Sequence, residues 1–103
     1  MSGPAGDLDE LRARIDELDR TIVELLNERA RLALEAGRRK AAAGRDGVRD
    51  LEREREVLLR VAMANEGPLP QADLLAVYRA LIDALVALEE ADRAKGTTEP
   101  GTV

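Results

Sequence analysis

Apolar residues recur along the first third of the chain in alternating steps of three and four: Leu8, Leu11, Ile15, Leu18, Ile22 and Leu25. That spacing sets them on one stripe of an α-helix, the stripe by which a helix packs against other helices. The next two beats fall on Arg29 and Leu32. A guanidinium stays charged and is prohibitive to bury unpaired, so Arg29 demands an anion, either a protein carboxylate or a bound ligand. The irregularity recurs. Glu54 falls on the Leu51–Leu58–Val61 face of a second segment, and Glu89 on the Leu75–Tyr78–Ile82–Leu85 face of a third. Charges that enter three helix seams point to a polar pocket inside a helical bundle.

The punctuation between these seams sets the elements. The spacing predicts a first helix from about Asp7 to Ala43, with Asp7 as N-cap and two further acids in its first turn. Such a helix is roughly 55 Å long at about 1.5 Å per residue. Gly37 inside it is a weak point that also permits close approach of another backbone. Residues 43–49, with Gly44 and Gly47, read as a loop. Asp50 caps a second helix ending near Asn65, and Glu66-Gly67-Pro68-Leu69-Pro70 is a strong break. A third helix follows from about Gln71 to Asp92 or slightly beyond. Residues 1–6 read as a loose leader, 7–93 as the helical domain, and 94–103 as a disordered tail.

The fold class expected is therefore all-α, with one long helix and two shorter ones. Two short helices cannot cover the whole seam of the long one within a compact monomer. A homodimer that pairs the long helices covers it with the seam as it stands. A heteromeric coiled coil with another chain is the rival arrangement.

Composition narrows the chemistry. The 103 residues suit one domain, and Tyr78 is the sole aromatic side chain. With no His and no Cys, the common zinc sites and the Ser-His and Cys-His nucleophile systems are excluded. No side chain has an ordinary pKa near neutrality, so the sequence favours binding, or a reaction needing little proton transfer. The net charge of -5 argues against a nucleic-acid partner. No run approaches the roughly 20 apolar residues of a membrane span, and the N-terminus lacks a secretory pattern, so the expectation is a cytoplasmic protein without membrane contact.

Spacing also decides which charges meet. Arg29 and Lys40 differ by only about 20° in helical phase and lie about 16 Å apart along the axis, so both face one groove and converge on one small anion. Arg12 sits about 25 Å from Arg29 along the same helix and cannot reach that anion within one chain. In an antiparallel dimer, Arg12 of the second protomer arrives there instead. Each residue also has a plainer reading. Arg12 is then a solvated helix charge, and Lys40 a complement to the helix dipole. Asp50 is a cap, Arg53 a surface ion-pair partner, and Arg29, Glu54 and Glu89 pair with one another to set register.

The same residues carry a resemblance. The run Leu11-Arg12-Ala13-Arg14-Ile15-Asp16-Glu17-Leu18-Asp19 resembles the opening of the all-helical chorismate mutases. So do Leu25-Leu26-Asn27-Glu28-Arg29, Gly37-Arg38-Arg39-Lys40, and Arg49-Asp50-Leu51-Glu52-Arg53-Glu54-Arg55. The Gly67-Pro68-Leu69-Pro70 break and Tyr78-Arg79-Ala80-Leu81-Ile82 fit as well, so the likeness covers about residues 7–91. Any one piece is weak, but the set is specific.

This resemblance implies an intertwined three-helix homodimer that rearranges chorismate to prephenate without cofactor or metal. It further implies that Arg29 and the second protomer's Arg12 hold the two substrate carboxylates. Lys40 would contact a carboxylate and the ether oxygen, and Glu54, with backbone near Asp50, the ring hydroxyl. Arg53 would line the same wall. Glu89 takes the position of the second donor to the ether oxygen, where many relatives carry Gln. Leu85 stands where relatives often have Ser near the ring carboxylate.

A Claisen rearrangement suits the missing His and Cys, because it needs no nucleophile, base or metal. It needs a flexible dianion held in a chair-like shape, and fixed donors where negative charge grows on the ether oxygen. Related chemistries stay open: a mutase acting on 4-amino-4-deoxychorismate, an isochorismate pyruvate-lyase, or a helical dimer acting as a non-catalytic adaptor.

Overall fold

The computed structural model describes residues 4–45 and 47–97, and these form three helices: α1 (Pro4–Ala42), α2 (Leu51–Ala64) and α3 (Gln71–Thr97). Two boundaries differ from the sequence expectation. Helix α1 begins at Pro4, whose fixed φ suits the first helical position, so Asp7 lies inside the first turn rather than capping it. There it still complements the helix dipole. Helix α3 runs on through Lys95 and Gly96 to Thr97, past the expected limit near Asp92. The rest of the expected leader (residues 1–3) and tail (residues 98–103) lies outside the described residues. Among the described residues, no helix is long and apolar enough to cross a membrane.

The chain divides into two compact units between Leu32 and Ala33, within α1. In the first unit, the seam residues Leu8, Leu11, Ile15, Leu18, Ile22, Leu25 and Leu32 are each between 45% and 62% exposed. A single helix this apolar on one stripe gains little stability alone, since most helical stability comes from packing that stripe.

The second unit contains the end of α1 with α2 and α3. Its buried residues are Ile82, Leu85 and Val86 of α3, together with Gly37 of α1. Along α3 the covered positions are Leu74, Leu75, Tyr78, Leu81, Ile82, Leu85, Val86 and Glu89, a helical stripe that carries a carboxylate at its far end. Along α2 the half-buried positions Glu54, Val57, Leu58 and Val61 form the matching stripe. Leu51, expected on that face, is instead 64% exposed in the first turn.

Three local devices fix the ends that matter. Helix α1 stops in a Schellman motif with Gly44 at φ +79°. Arg45 N donates to Lys40 O at 3.0 Å, and Gly44 N to Ala41 O at 3.0 Å. The motif anchors the turn from which Lys40 projects. Asp50 caps α2 as expected, its side chain accepting from Arg53 N at 3.0 Å. Between α2 and α3, Asn65 donates to Leu69 O and accepts from Gly67 N, while Gln71 donates to Ala62 O at 2.8 Å.

Candidate active site

The chemistry-bearing side chains of the second unit come from three elements. Lys40, half-buried on the last turn of α1, donates through Nζ to Val48 O at 3.3 Å. That bond uses one of three ammonium hydrogens and leaves the others for an acceptor. Glu89 on α3 lies within electrostatic reach of Lys40 and of Arg93. Burial pushes the Glu89 carboxyl above its ordinary range, and the two cations oppose that shift without reversing it.

The glycine expected to admit a neighbouring backbone admits this carboxyl instead. A Cβ on Gly37 would stand 2.7 Å from Glu89 Oε1. The end of α3 is pinned to α1 nearby, Arg38 donating from Nε and Nη2 to Asp92 at 3.1 and 2.9 Å. Its guanidinium holds the Asp92 carboxyl below the usual range.

Glu54 is the third member. Arg49, in the loop before α2, donates to Glu54 Oε1 from Nε at 3.2 Å and from Nη2 at 2.9 Å. Glu54 Oε2 is buried, with no hydrogen-bond partner among the described residues. A buried acceptor left open is costly, and invites a donor from outside the chain.

The remaining expected residues fall as follows. Asp50 has its side chain committed to capping, with Arg45 a further 3.9 Å away. Arg53 is exposed and pairs with Glu56 on its own helix at 3.3 Å. Leu85 is 7% exposed and belongs to the apolar core. In the first unit, Arg12 is exposed, while Arg29 is half-buried and has no carboxylate partner among the described residues. Arg49 and Asp83 were absent from the expected set. Arg49 sits in a loop, outside any helical period, and its bridge to Asp83 spans 34 positions of sequence.

The sequence profile described as chorismate mutase type II matches residues 11–90. The chain belongs to this family. Among curated relatives it is 40% identical, over 88 residues, to a bifunctional chorismate mutase/prephenate dehydratase of Aquifex aeolicus. That match covers 82% of this chain and 24% of the relative. A protein of the same description from Stutzerimonas stutzeri is 37% identical over 90 residues, covering 84% and 25%. The chain thus spans about a quarter of the length of these relatives. Among solved structures, a chorismate mutase (form II) from Thermus thermophilus superposes with a TM-score of 0.78 at 33% identity. It covers 82% of this chain and 94% of that one. For a chorismate mutase fold, the three helices and their order are those the resemblance implied, and the matched span lies inside residues 7–91.

Proposed function

We propose that this chain catalyses the Claisen rearrangement of chorismate to prephenate. The observation that carries the reading is the electrostatic proximity of Lys40 and Glu89. An ammonium on α1 and a carboxyl on α3 that burial pushes toward its protonated form lie within electrostatic reach of one another. The ammonium keeps hydrogens to donate beyond the one given to Val48 O. In the rearrangement the carbon–oxygen ether bond breaks as a carbon–carbon bond forms within the same molecule. No proton is gained or lost. Negative charge grows on the ether oxygen, and Lys40, joined by Glu89 in its protonated form, supplies donors there.

Glu54 Oε2 accepts from the ring hydroxyl, with Asp50 contributing backbone nearby. Arg29 holds one substrate carboxylate, consistent with a half-buried guanidinium that has no carboxylate partner among the described residues. Arg12 of the partner subunit holds the other, in a homodimer that covers the exposed apolar seam of residues 8–32. Leu85 borders the ring carboxylate through apolar contact, and Arg53 reaches the substrate only by turning from Glu56.

The test is to mix the purified protein with chorismate, follow the loss of its ultraviolet absorbance and identify the product, with Arg29→Ala as control. Prephenate formed by wild type and not by the variant supports the reading. No turnover by wild type removes it, and the chorismate relatives named above are then assayed.

The raised Glu89 carboxyl gives a pH dependence of definite sign. A donor must be protonated, so turnover is full below the native pKa of Glu89 and falls as pH rises through it. Folding favours the protonated acid for the same reason, so the stability linked to Glu89 is present at low pH and fades over the same rise. Glu89→Gln donates at every pH. Its profile should stay flat where wild type declines, measured as kcat across about pH 4 to 9, a range set to bracket any carboxyl displaced from about 4.3 by its surroundings. A wild-type profile unchanged by the substitution counts against a protonated Glu89.

A further inference from the structure

Glu54 is held by one oxygen and open at the other, and the holder is a cation. Arg49 makes a two-nitrogen contact with Oε1 while its Nη2 also donates to Asp83 Oδ1 at 2.7 Å. The side chain of Glu54 is 17% exposed, that of Arg49 45% and that of Asp83 63%. We infer that Arg49 is a positioning and specificity-determining residue. It fixes Glu54 so that Oε2 alone meets the C4 substituent of the substrate ring, and its charge biases that oxygen toward a neutral hydroxyl over an ammonium. The inference rests on the proposed role of Glu54.

The reasoning is geometric first. Two donors on a single oxygen leave the carboxylate little freedom to rotate, and Oε2 stays buried without a partner among the described residues. A free carboxylate accepts from a hydroxyl or an ammonium, with the ammonium favoured by charge. A guanidinium one carboxylate's width away removes most of that advantage, because it repels the ammonium and leaves the hydroxyl unaffected. Asp83 works the other way. It shares Arg49 with Glu54, and by drawing on the same guanidinium it weakens the repulsion, although its exposure screens the effect. Neither Arg49 nor Asp83 touches the substrate in this reading, so both act through Glu54.

The experiment measures kcat/KM for chorismate and for 4-amino-4-deoxychorismate on the same preparations, and reads the ratio. Partial unfolding lowers both values together and cancels. Wild type should prefer chorismate. Arg49→Gln should shift the ratio toward the amino substrate on the order of tenfold, as expected for the loss of one partly screened unit charge. Arg49→Lys keeps the charge and should retain the wild-type ratio despite a raised KM, and Asp83→Asn should move the ratio further toward chorismate. A ratio unmoved in Arg49→Gln, equal shifts in the Gln and Lys variants, or a wild type that prefers the amino substrate would overturn the inference while leaving the mutase reading in place. Turnover of neither substrate by wild type removes the mutase reading, and this inference with it.

Discussion

Replacing Lys40 by alanine should lower kcat about 10²- to 10³-fold, the usual cost of losing one preorganised donor to a developing oxyanion, with the fold intact. The side chain donates one hydrogen bond, to Val48 O, and alanine is the best helix former for the vacated position. The Schellman motif that ends α1 is built from backbone groups and survives the change. A second consequence separates catalysis from simple dipole complementation. Lys40 lowers the Glu89 carboxyl, so its removal lets burial raise that carboxyl further. The residual activity of Lys40→Ala should therefore persist to higher pH than that of wild type. Circular dichroism with a pH series of kcat/KM decides the matter. Full activity in the variant would reduce Lys40 to a helix-end charge.

Replacing Ile22 by aspartate should abolish turnover by a different route. Ile22 is 50% exposed in the middle of a seam whose neighbours are equally uncovered. In a symmetric dimer each substitution counts twice. Losing two buried side chains costs about 1.5–3 kcal/mol each, before the penalty for carboxylates in an apolar interface. Together these weaken association by at least about a thousandfold. Sedimentation equilibrium should report monomer where wild type reports dimer, with activity lost in parallel. Complementation adds a sharper arm. If each site takes Lys40 from one protomer and Arg12 from the other, Arg12→Ala and Lys40→Ala proteins each keep only a small residual activity. Mixed, they form heterodimers with one intact site, restoring about a quarter of wild-type turnover on random exchange. No recovery after verified exchange would count against a shared site.

The parts of this architecture legible in sequence are those written in helical period. Glu54 and Glu89 interrupt apolar stripes, and both prove half-buried on those stripes. Asp50 and Gly44 carry their own local geometry, a cap and a left-handed turn, and both occur where composition placed them. The misreadings concern helix ends and tertiary contacts. Pro4 starts a helix as readily as Asp7 caps one, and the run 90–95 is rich enough in helix formers to carry α3 past its expected stop. Leu51 keeps the phase of its stripe but stands in the first turn of α2, outside the covered part of that stripe. Arg49 was illegible as a partner of Asp83, because that bridge joins the loop before α2 to α3 across 34 positions of sequence.

Gly37 places thermal stability and turnover in opposition. A search for stabilising changes would choose this position early, since alanine in place of a mid-helix glycine commonly favours a helix by about 1 kcal/mol. The carboxyl of Glu89 occupies the space that the new methyl group would need. The side chain is flexible and would yield, so the protein would still fold, but the group displaced is the proposed donor. Selection for a robust helix and selection for a well-placed acid therefore ask for different residues at one site, and a thermostable variant that keeps its activity has to gain its stability elsewhere in the chain.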